Sequence, residues 1–469
     1  MDTRVNYLLL ATAFLGTFFS GMGSRIFIIS MPTLASSLGT DLIGISWALL
    51  AYQLSNIGFS LIFGRLSDIW GRENVFATGF AVFSLGSLFC GLSQTVSQLI
   101  FARFFQGIGS AMIQSSSRAL AAEAVPQNLS GRAQGYMTTA HHTGFLLGPT
   151  VGGLMIDYLN WRWTFFFLVP IGIFGALLTL KNPQRDRTRL HGLSIDYAGA
   201  ALLFATTTTL VLLLDRRMLA LMSAEIKGAF AVIFTGSLLS LLIHESKAKS
   251  PVLNLALFKI RGFAFSALSL LIVAICYALT AFLLPFYLQD VLRLSPSFIG
   301  FLFMAPPILT ILLAPVSGHM ADRLGASLPQ TLGVAFMFLS LTVGVFFTPF
   351  SHWLLPTLMI ALSAVTNGLF NPAASAGMLN ALPRAHRGFA SATNHVTFGL
   401  GNVLGVALGG LLMTAAYEHH TAIAGVSPTP ENPGAFVAAL NTTFLVTAGL
   451  SLLALLSSAT SGSRASAAN

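Results

Sequence analysis

Two arginines in apolar surroundings are the residues of this sequence with the clearest chemical meaning. Arg25 lies within SGMGSRIFIISMP and Arg103 lies within RFFQGIGSA, each inside a long hydrophobic run. An ionised side chain within a membrane-spanning helix is costly, so it faces protein or a watery cavity. Both lie about five residues from the outer end of their helix, roughly 8 Å deep. Two interpretations follow: the two guanidinium groups form an anion-binding site, or both side chains reach up to the membrane surface.

A stripe of polar and small side chains surrounds the second of these arginines. Its members recur at the spacing of one helical face within an otherwise apolar stretch. They are Arg103, Gln106, Gly107, Ser110, Gln114 and Ser117. We predict that this face lines water or substrate, with Gln106 and Gln114 as substrate-binding residues. Hydrogen bonding between neighbouring helices is the alternative, because polar side chains in membranes do that as well.

A pair of histidines is the group best suited to carry a proton. All fifteen acidic residues fall in loops or near the ends of apolar stretches, which leaves no carboxylate at mid-membrane. His141 and His142 lie midway along another apolar stretch, and histidine titrates near neutral pH. We predict that His142, together with Arg103, couples proton and substrate movement, whereas His141 packs against protein. A hydrogen-bonded structural role is the alternative for either histidine.

The second half of the chain offers further polar groups within apolar stretches. They are Tyr277, Asn367, Asn371, Asn394 and His395. We predict that all of them except Asn394 contribute to a substrate-binding site. Hydrogen bonding between helices is again the alternative, and for these residues it is the stronger one.

Composition places these stretches in a lipid bilayer. Of 469 residues, 55% are hydrophobic and only 8% are charged, which is too little polar surface for a soluble protein of this size. A span needs about 20 apolar residues, and the chain contains about fourteen such runs, the first of which we interpret as a retained span. We therefore predict an all-α integral membrane protein with about fourteen transmembrane helices.

The basic residues indicate the orientation. Seventeen of the 24 Lys and Arg residues fall on the side that carries both termini, five fall on the other side, and two lie within spans. This excess predicts cytoplasmic termini, and it accounts for most of the net charge of +9. We expect the protein in a cell membrane of the bacterial inner-membrane type. Nucleic acid is excluded as a partner, because the sequence lacks a soluble basic module. Cys90 and Cys276 have neither a metal-binding spacing nor an evident disulfide partner.

Two repeated sequence motifs indicate an internal duplication. GRLSDIWG at 64–71 resembles GHMADRLG at 318–325, an offset of 254. A set of glycines repeats at an offset of 257: Gly144, Gly148, Gly152 and Gly153 correspond to Gly401, Gly405, Gly409 and Gly410. The duplication predicts six helices per half around a central cavity, with two extra helices in the middle. The expected domains are an N-terminal bundle (1–181), linkers with the two extra helices (182–261), a C-terminal bundle (262–458) and a disordered cytoplasmic tail (459–469).

Five motifs in order carry a family resemblance that covers nearly the whole chain. They are the loop with Gly64, Asp68, Gly71 and Arg72, then RFFQGIGSA (103–111), GFLLGPTVGG (144–153), WRWTFFFLVPIG (161–172) and LLPFYLQDVLRLSP (283–296). The first three resemble the signature loop, the fourth-helix arginine motif and the antiporter motif of the major facilitator superfamily. The last two resemble stretches typical of its fourteen-helix drug:proton antiporter branch.

The resemblance implies roles for two of these motifs. It assigns a conformational switch to Gly64, Asp68, Gly71 and Arg72 and, in the second copy, to Asp322 and Arg323. A solvated loop carboxylate is the alternative for Asp68. The resemblance also assigns a helix-packing face of antiporting exporters to Gly144, Gly148, Pro149, Gly152 and Gly153. Ordinary packing of small residues is the alternative for this face.

The resemblance also implies secondary active transport. We expect proton-coupled export of small amphipathic compounds by alternating access. Arg25 and Arg103 favour a different cargo, an anionic metabolite such as a siderophore, or an anionic lipid. A membrane-embedded enzyme built on His141 and His142 is disfavoured, because adjacent helical residues point about 100° apart. The expected partners are a small-molecule substrate, protons and the lipid bilayer, and we expect a monomer without cofactor or metal.

Overall fold

The computed structural model describes residues 6–126, 129–181, 196–248, 255–382, 387–423 and 425–460. Within these ranges the regular structure is helical. The predicted linker residues 182–195 and the predicted tail beyond residue 460 lie outside the described residues.

The described helices follow the order expected of two halves with an insert. The first half contains α1 (Tyr7–Ser37), α2 (Leu42–Trp70), α3 (Arg72–Leu92), α4 (Val96–Glu123), α5 (Ser130–Tyr158), α6 (Trp163–Phe166) and α7 (Leu168–Leu180). The insert contains α8 (Tyr197–Leu214), α9 (Arg216–Leu221) and α10 (Ala224–Lys247). The second half contains α11 (Arg261–Phe286), α12 (Pro296–Leu302), α13 (Ala305–Leu324), α14 (Ser327–Gly344), α15 (Leu354–Asn380), α16 (Arg387–Thr421) and α17 (Pro433–Thr460). A π-helical turn over Tyr287–Val291 extends α11.

Most of these helices are long and apolar enough to cross a membrane. Twelve segments of the described residues meet both conditions, with α6 and α7 counted as one segment and α12 and α13 as another. Helices α4 and α5 have 28 and 29 residues, and polar side chains on them lower their hydropathy. With these two, the described ranges hold fourteen segments of spanning length. The predicted all-α membrane architecture with two extra middle helices is confirmed.

The helices pack into two compact units. Unit 1 comprises Met1–Thr40, Gly44–Phe204 and Ser295–Met304. Unit 2 comprises Asp41–Ile43, Ala205–Leu294 and Ala305–Asn469. Each unit therefore takes a short segment from the other half of the sequence. The domain boundaries expected from the sequence stay a prediction.

Aromatic side chains form the core of unit 1 between α1 and α3. The ring centroid of Phe19 lies 4.6 Å from that of Phe83 and 5.6 Å from that of Phe80. Phe76 continues the group at 5.0 Å from Phe80. A Cβ built on Gly109 would lie 2.4 Å from the backbone nitrogen of Phe83, so α3 and α4 pack backbone to backbone. Close van der Waals packing of this kind holds membrane helices together, because lipid tails are as apolar as the side chains.

Equivalent glycines in the two halves share an unusual backbone conformation. Gly71 has a φ of +94°, and Gly325, which lies 254 positions later, has a φ of +85°. Each lies directly after a spanning helix, α2 or α13 respectively. A residue with a side chain is strained in this left-handed region, whereas glycine is not. The duplicated loop therefore requires glycine at this position in both copies.

Alanine at Gly71 is expected to lower the thermal stability of the protein. The cost is about 1 to 2 kcal/mol, because the added Cβ meets the strain of a positive φ. Gly325→Ala should behave in the same way. Gly318→Ala is the control, since among the described residues no atom lies within 4 Å of its Cβ position and its φ is ordinary. The midpoint of thermal denaturation in detergent measures the effect, and equal midpoints for the three variants would contradict it.

Candidate functional site

Arg103 is fully buried between two aromatic rings. Its guanidinium carbon lies 4.2 Å from the ring centroid of Phe27 and 4.1 Å from that of Tyr52. Nη1 donates to Oε1 of Gln106 at 2.5 Å, and Nε donates to the carbonyl oxygen of Ala48 at 3.3 Å. Within the described part of the chain, Nη2 has no hydrogen-bond partner. Two ring faces and two neutral acceptors thus offset part of the cost of removing this cation from water.

Two glutamines of the polar stripe on α4 bond to neighbouring helices. Nε2 of Gln106 donates to Oγ of Ser87 at 2.7 Å, which joins α4 to α3. Nε2 of Gln114 donates to Oγ of Ser20 at 2.8 Å, which joins α4 to α1. Hydrogen bonding between helices is therefore present at both glutamines, and substrate binding by Gln106 and Gln114 stays a prediction.

Arg25 lies against α5. Its guanidinium carbon is 4.4 Å from the ring centroid of Phe145. A Cβ built on Gly148 would lie 3.3 Å from the Cβ of Arg25, so the stem of the arginine also packs on α5. The side chain is half-buried, whereas Arg103 is fully buried. The two arginines contact different rings, and a joint anion site stays a prediction.

Phe145 also contacts the two histidines. Its ring centroid lies 4.3 Å from that of His141 and 6.1 Å from that of His142. Both imidazoles are half-buried. Arg25, His141 and His142 thus gather around one phenylalanine, and we call these four residues the α1–α5 cluster. The imidazoles can each hold a proton, the guanidinium group is a permanent cation, and all of them lie beside one aromatic ring. The cluster is therefore suited to binding a proton at a histidine or an aromatic molecule at the ring.

Three charged residues join the ends of α2, α3 and α4. Nε and Nη2 of Arg72 donate to Oδ1 of Asp68 at 3.1 and 2.8 Å. Nη1 of the same arginine bonds to Oε1 of Glu123. The side chain of Arg72 is 27% exposed, that of Asp68 is 19% exposed and that of Glu123 is 23% exposed. Because all three remain in contact with solvent, each ion pair alone contributes little to stability. Such a network is better suited to hold one arrangement of helix ends than to stabilise the fold.

The second copy of the loop is built differently. Asp322 and Arg323 are both exposed at the end of α13. The two copies therefore share the glycine turn but differ in the burial of their charges. A switching role for Asp322 and Arg323 stays a prediction.

The glycines of α5 pack directly on α1. A Cβ on Gly144 would lie 2.3 Å from the carbonyl oxygen of Phe18, and one on Gly148 would lie 2.9 Å from that of Met22. Gly152 continues the same face one turn later. In unit 2, the corresponding glycines of α16 pack on α11 in the same way. Backbones approach at these positions to distances that no side chain would allow.

A second face of α5 packs on α12, also within unit 1. A Cβ on Gly153 would lie 2.3 Å from the carbonyl oxygen of Pro296. In the opposite direction, a Cβ on Gly300 would lie 2.4 Å from the carbonyl oxygen of Pro149. Helix α5 is therefore held by glycine contacts on two sides, towards α1 and towards α12.

Amide side chains form a ladder along α15. Nδ2 of Asn371 donates to Oδ1 of Asn367 at 2.9 Å, and Nδ2 of Asn367 donates to the carbonyl oxygen of Ser363 at 3.1 Å. At the offset of 257, Asn367 and Asn371 correspond to Ser110 and Gln114 on α4. The polar stripe is thus part of the duplicated pattern.

The remaining predicted residues of the second half lie on α11 and α16. Tyr277 is half-buried on α11, and His395 is exposed on α16. Nδ2 of Asn394 donates to Oγ of Ser375 at 3.2 Å, which joins α16 to α15. Substrate binding by Tyr277, Asn367, Asn371 and His395 stays a prediction.

Sequence reasoning missed two residues that complete these groups. Phe145 follows His141 by four positions, a helical spacing that carried the signal for their contact. Glu123 lies 51 positions after Arg72, and only its place at the end of an apolar stretch hinted at a pairing. Long-range partners of this kind come from the fold rather than from local patterns.

Duplicated helical bundles with polar residues between spanning helices define a membrane transporter built from internal repeats. Comparison with family models agrees, because the model described as Major Facilitator Superfamily matches residues 13–283 and 266–462. The chain belongs to the Major Facilitator Superfamily. It is a multi-pass membrane transporter rather than an enzyme.

Related proteins and solved structures are consistent with this assignment. Riboflavin transporter RibZ of Clostridioides difficile (strain 630) is 28% identical over 407 residues, which cover 85% of this chain and 87% of the relative. Multidrug transporter protein MdtP of Bacillus subtilis (strain 168) is 27% identical over 413 residues, which cover 87% and 75%. The fold is similar to that of an inward-facing bacterial homologue of the human lysosomal transporter Spinster, with a TM-score of 0.69, 14% identity and 98% of both chains covered.

Proposed function

We propose that this chain is a proton-coupled exporter of small amphipathic compounds that works by alternating access. The similarity to a protein named as a multidrug transporter supports the export of varied compounds. The similarity to a protein named as a riboflavin transporter supports uncharged heteroaromatic molecules among them. The antiporter-like glycine face of α5 supports exchange against protons.

The α1–α5 cluster is the observation that carries this proposal. An antiporter has to bind either a proton or a substrate. Binding of one ligand must therefore lower the affinity for the other. A protonated His142 is a cation beside the ring of Phe145, with 6.1 Å between the two ring centroids. An aromatic substrate would stack on the same ring. Proton and substrate would therefore compete for one surface.

Arg25 determines which substrates fit this cluster. Its guanidinium group lies over Phe145, so a cationic substrate at the same ring meets repulsion from a fixed charge. Neutral and anionic aromatic compounds meet no such penalty. We therefore propose that the substrates are neutral or anionic rather than cationic.

Export of an anionic metabolite, such as a siderophore, or of an anionic lipid is the second candidate. Arg25 favours it, since its guanidinium group is a permanent cation on a half-buried side chain. Arg103 is fully buried among its own acceptors, so Arg25 supports this candidate more directly. Loss of anion transport in Arg25→Ala, with neutral transport kept, would support it.

The surroundings of the site complete the proposal. We assign both termini to the cytoplasm of a bacterial inner membrane and the working form to a monomer. The network of Asp68, Arg72 and Glu123 then lies on the cytoplasmic side, where it would hold one arrangement of α2, α3 and α4 and break as the transporter changes state.

A pH gradient across proteoliposomes tests the proposal. We expect the wild-type protein to collapse the gradient when neutral or anionic aromatic compounds are added and to respond weakly to lipophilic cations. His142→Gln should reduce this collapse by at least about tenfold, because glutamine keeps a polar side chain but cannot carry a proton.

His352→Gln is the matched control, since His352 is exposed in a loop and should keep wild-type coupling. Collapse with cations alone, or full activity of His142→Gln, would contradict the proposal.

A further inference from the structure

An apolar groove lies between α3 and α4 on the surface of unit 1. Its volume is about 470 Å³, which is typical of a small-molecule pocket. Phe89, Phe101 and Phe105 line it and are 59%, 67% and 41% exposed. In a spanning protein this groove opens towards lipid, so hydrocarbon is the chemistry that it can accept.

One end of the groove carries polar groups and a cation. Ser93 and Gln98 line this end, at the turn between α3 and α4. The carbonyl oxygen of Ser93 accepts a hydrogen bond from Nη2 of Arg162 at 2.9 Å. The guanidinium carbon of Arg162 lies 4.1 Å from the ring centroid of Trp161, and Trp163 nearby is 49% exposed. Tryptophan and arginine together are typical of the membrane interface, where lipid headgroups lie.

We propose that this groove binds a membrane phospholipid, with one acyl chain between α3 and α4 and the phosphate group at Arg162. The groove and a phospholipid have the same arrangement of apolar and polar parts. The aromatic and aliphatic stretch of the groove matches the acyl chain, and its polar end with a cation matches the phosphate group. Arginine is suited to phosphate, since its N–H groups are directed donors around a permanent charge. The site lies apart from the α1–α5 cluster and does not depend on the proposed transport function.

Depth and a headgroup contact distinguish this groove from an ordinary lipid-facing surface. Lipid tails cover every apolar face of a spanning protein, so apolar exposure alone indicates no site. Gly86 and Ala102 form part of the lining and are buried. Gly86 lets α3 and α4 approach closely at the floor of the groove, since a Cβ there would lie 2.7 Å from the backbone nitrogen of Gln106. Arg162 adds the contact to the phosphate. Such a lipid should stay bound when the protein is extracted into detergent.

Native mass spectrometry of the full chain, titrated with phosphatidylglycerol, tests this site. We expect the wild-type protein to retain one phospholipid. Arg162→Gln should weaken its binding by about fivefold, and Arg162→Lys should restore most of it because the charge is kept. Val82→Trp should remove binding, since Val82 lines the groove and the indole would fill it.

Matched variants control for changes elsewhere on the surface. Arg216→Gln removes another partly exposed arginine, which pairs with Glu418 at 2.9 Å, and Ile173→Trp adds an indole at a position that is 51% exposed. Both should bind lipid as the wild type does. Inorganic phosphate and a transported compound should each fail to displace the lipid.

Two results would overturn the proposal. One is equal retention of phosphatidylglycerol by Arg162→Gln, Arg162→Lys and the wild type. This comparison remains a valid test even if Val82→Trp fails to fold. The other is displacement of the lipid by inorganic phosphate or by a transported compound, which would make the groove an anion site or part of the substrate path.

Discussion

Valine in place of Gly144 is expected to abolish transport and to leave little folded protein. Even the first added carbon would lie 2.3 Å from the carbonyl oxygen of Phe18 and 2.8 Å from the backbone nitrogen of Met22. Both are backbone atoms, so the clash is relieved only if α1 and α5 move apart. The cost should exceed about 3 kcal/mol, which is the upper end for overpacking in a close-packed interior.

Gly135→Val on the same helix is the control. Among the described residues no atom from outside its own helix lies within 4 Å of the Cβ position of Gly135, and the change in helix propensity from glycine to valine is the same at both positions. Monodisperse yield after detergent extraction and transport in proteoliposomes are the two measurements. Similar values for Gly144→Val and Gly135→Val would show that α1 and α5 do not pack as described.

Alanine in place of Arg103 is expected to destabilise unit 1 by about 3 kcal/mol. The change empties the space between the rings of Phe27 and Tyr52, and it removes the donor to Oε1 of Gln106. Arg103→Met should cost much less, because an unbranched apolar side chain fills much of the space without a buried charge. The thermal midpoint in detergent measures both variants, with Arg216→Ala at a partly exposed site as the control.

The methionine variant also separates stability from coupling. Because Arg103 is fully buried and contacts none of the α1–α5 cluster in the interactions described above, we expect Arg103→Met to keep proton-coupled transport. A stable methionine variant that transports without consuming the pH gradient would instead support the coupling role predicted for Arg103 from the sequence. An alanine variant as stable as the wild type would contradict the packing role.

The helical architecture follows from the sequence because it depends on composition and on periodic patterns. Apolar runs of spanning length give the helices, and the repeated loop gives the duplication. The positive φ values of Gly71 and Gly325 agree with that repeat. Glycines at every fourth position indicate a close helix contact. The fold determines which helix makes the contact: α5 packs on α1, and α16 packs on α11.

The candidate site is less predictable, because its contacts join residues from different helices. Sequence spacing marked Arg25, His142 and Arg103 but left open what each one faces. The structure gives Arg25 and both histidines one shared ring, Phe145, and gives Arg103 a separate pair of rings. No local pattern distinguishes these arrangements, since both arginines lie in similar apolar stretches.

Competition between a proton and a substrate at the α1–α5 cluster is the central proposal, and proton release on binding tests it most directly. A compound that collapses the pH gradient is added to the detergent-solubilised protein in weakly buffered, mildly acidic solution, where a histidine holds its proton, and the change in pH is recorded. We predict the release of up to about one proton per bound substrate from the wild-type protein and from His352→Gln, and none from His142→Gln. Equal release from His142→Gln and the wild type would contradict the proposal.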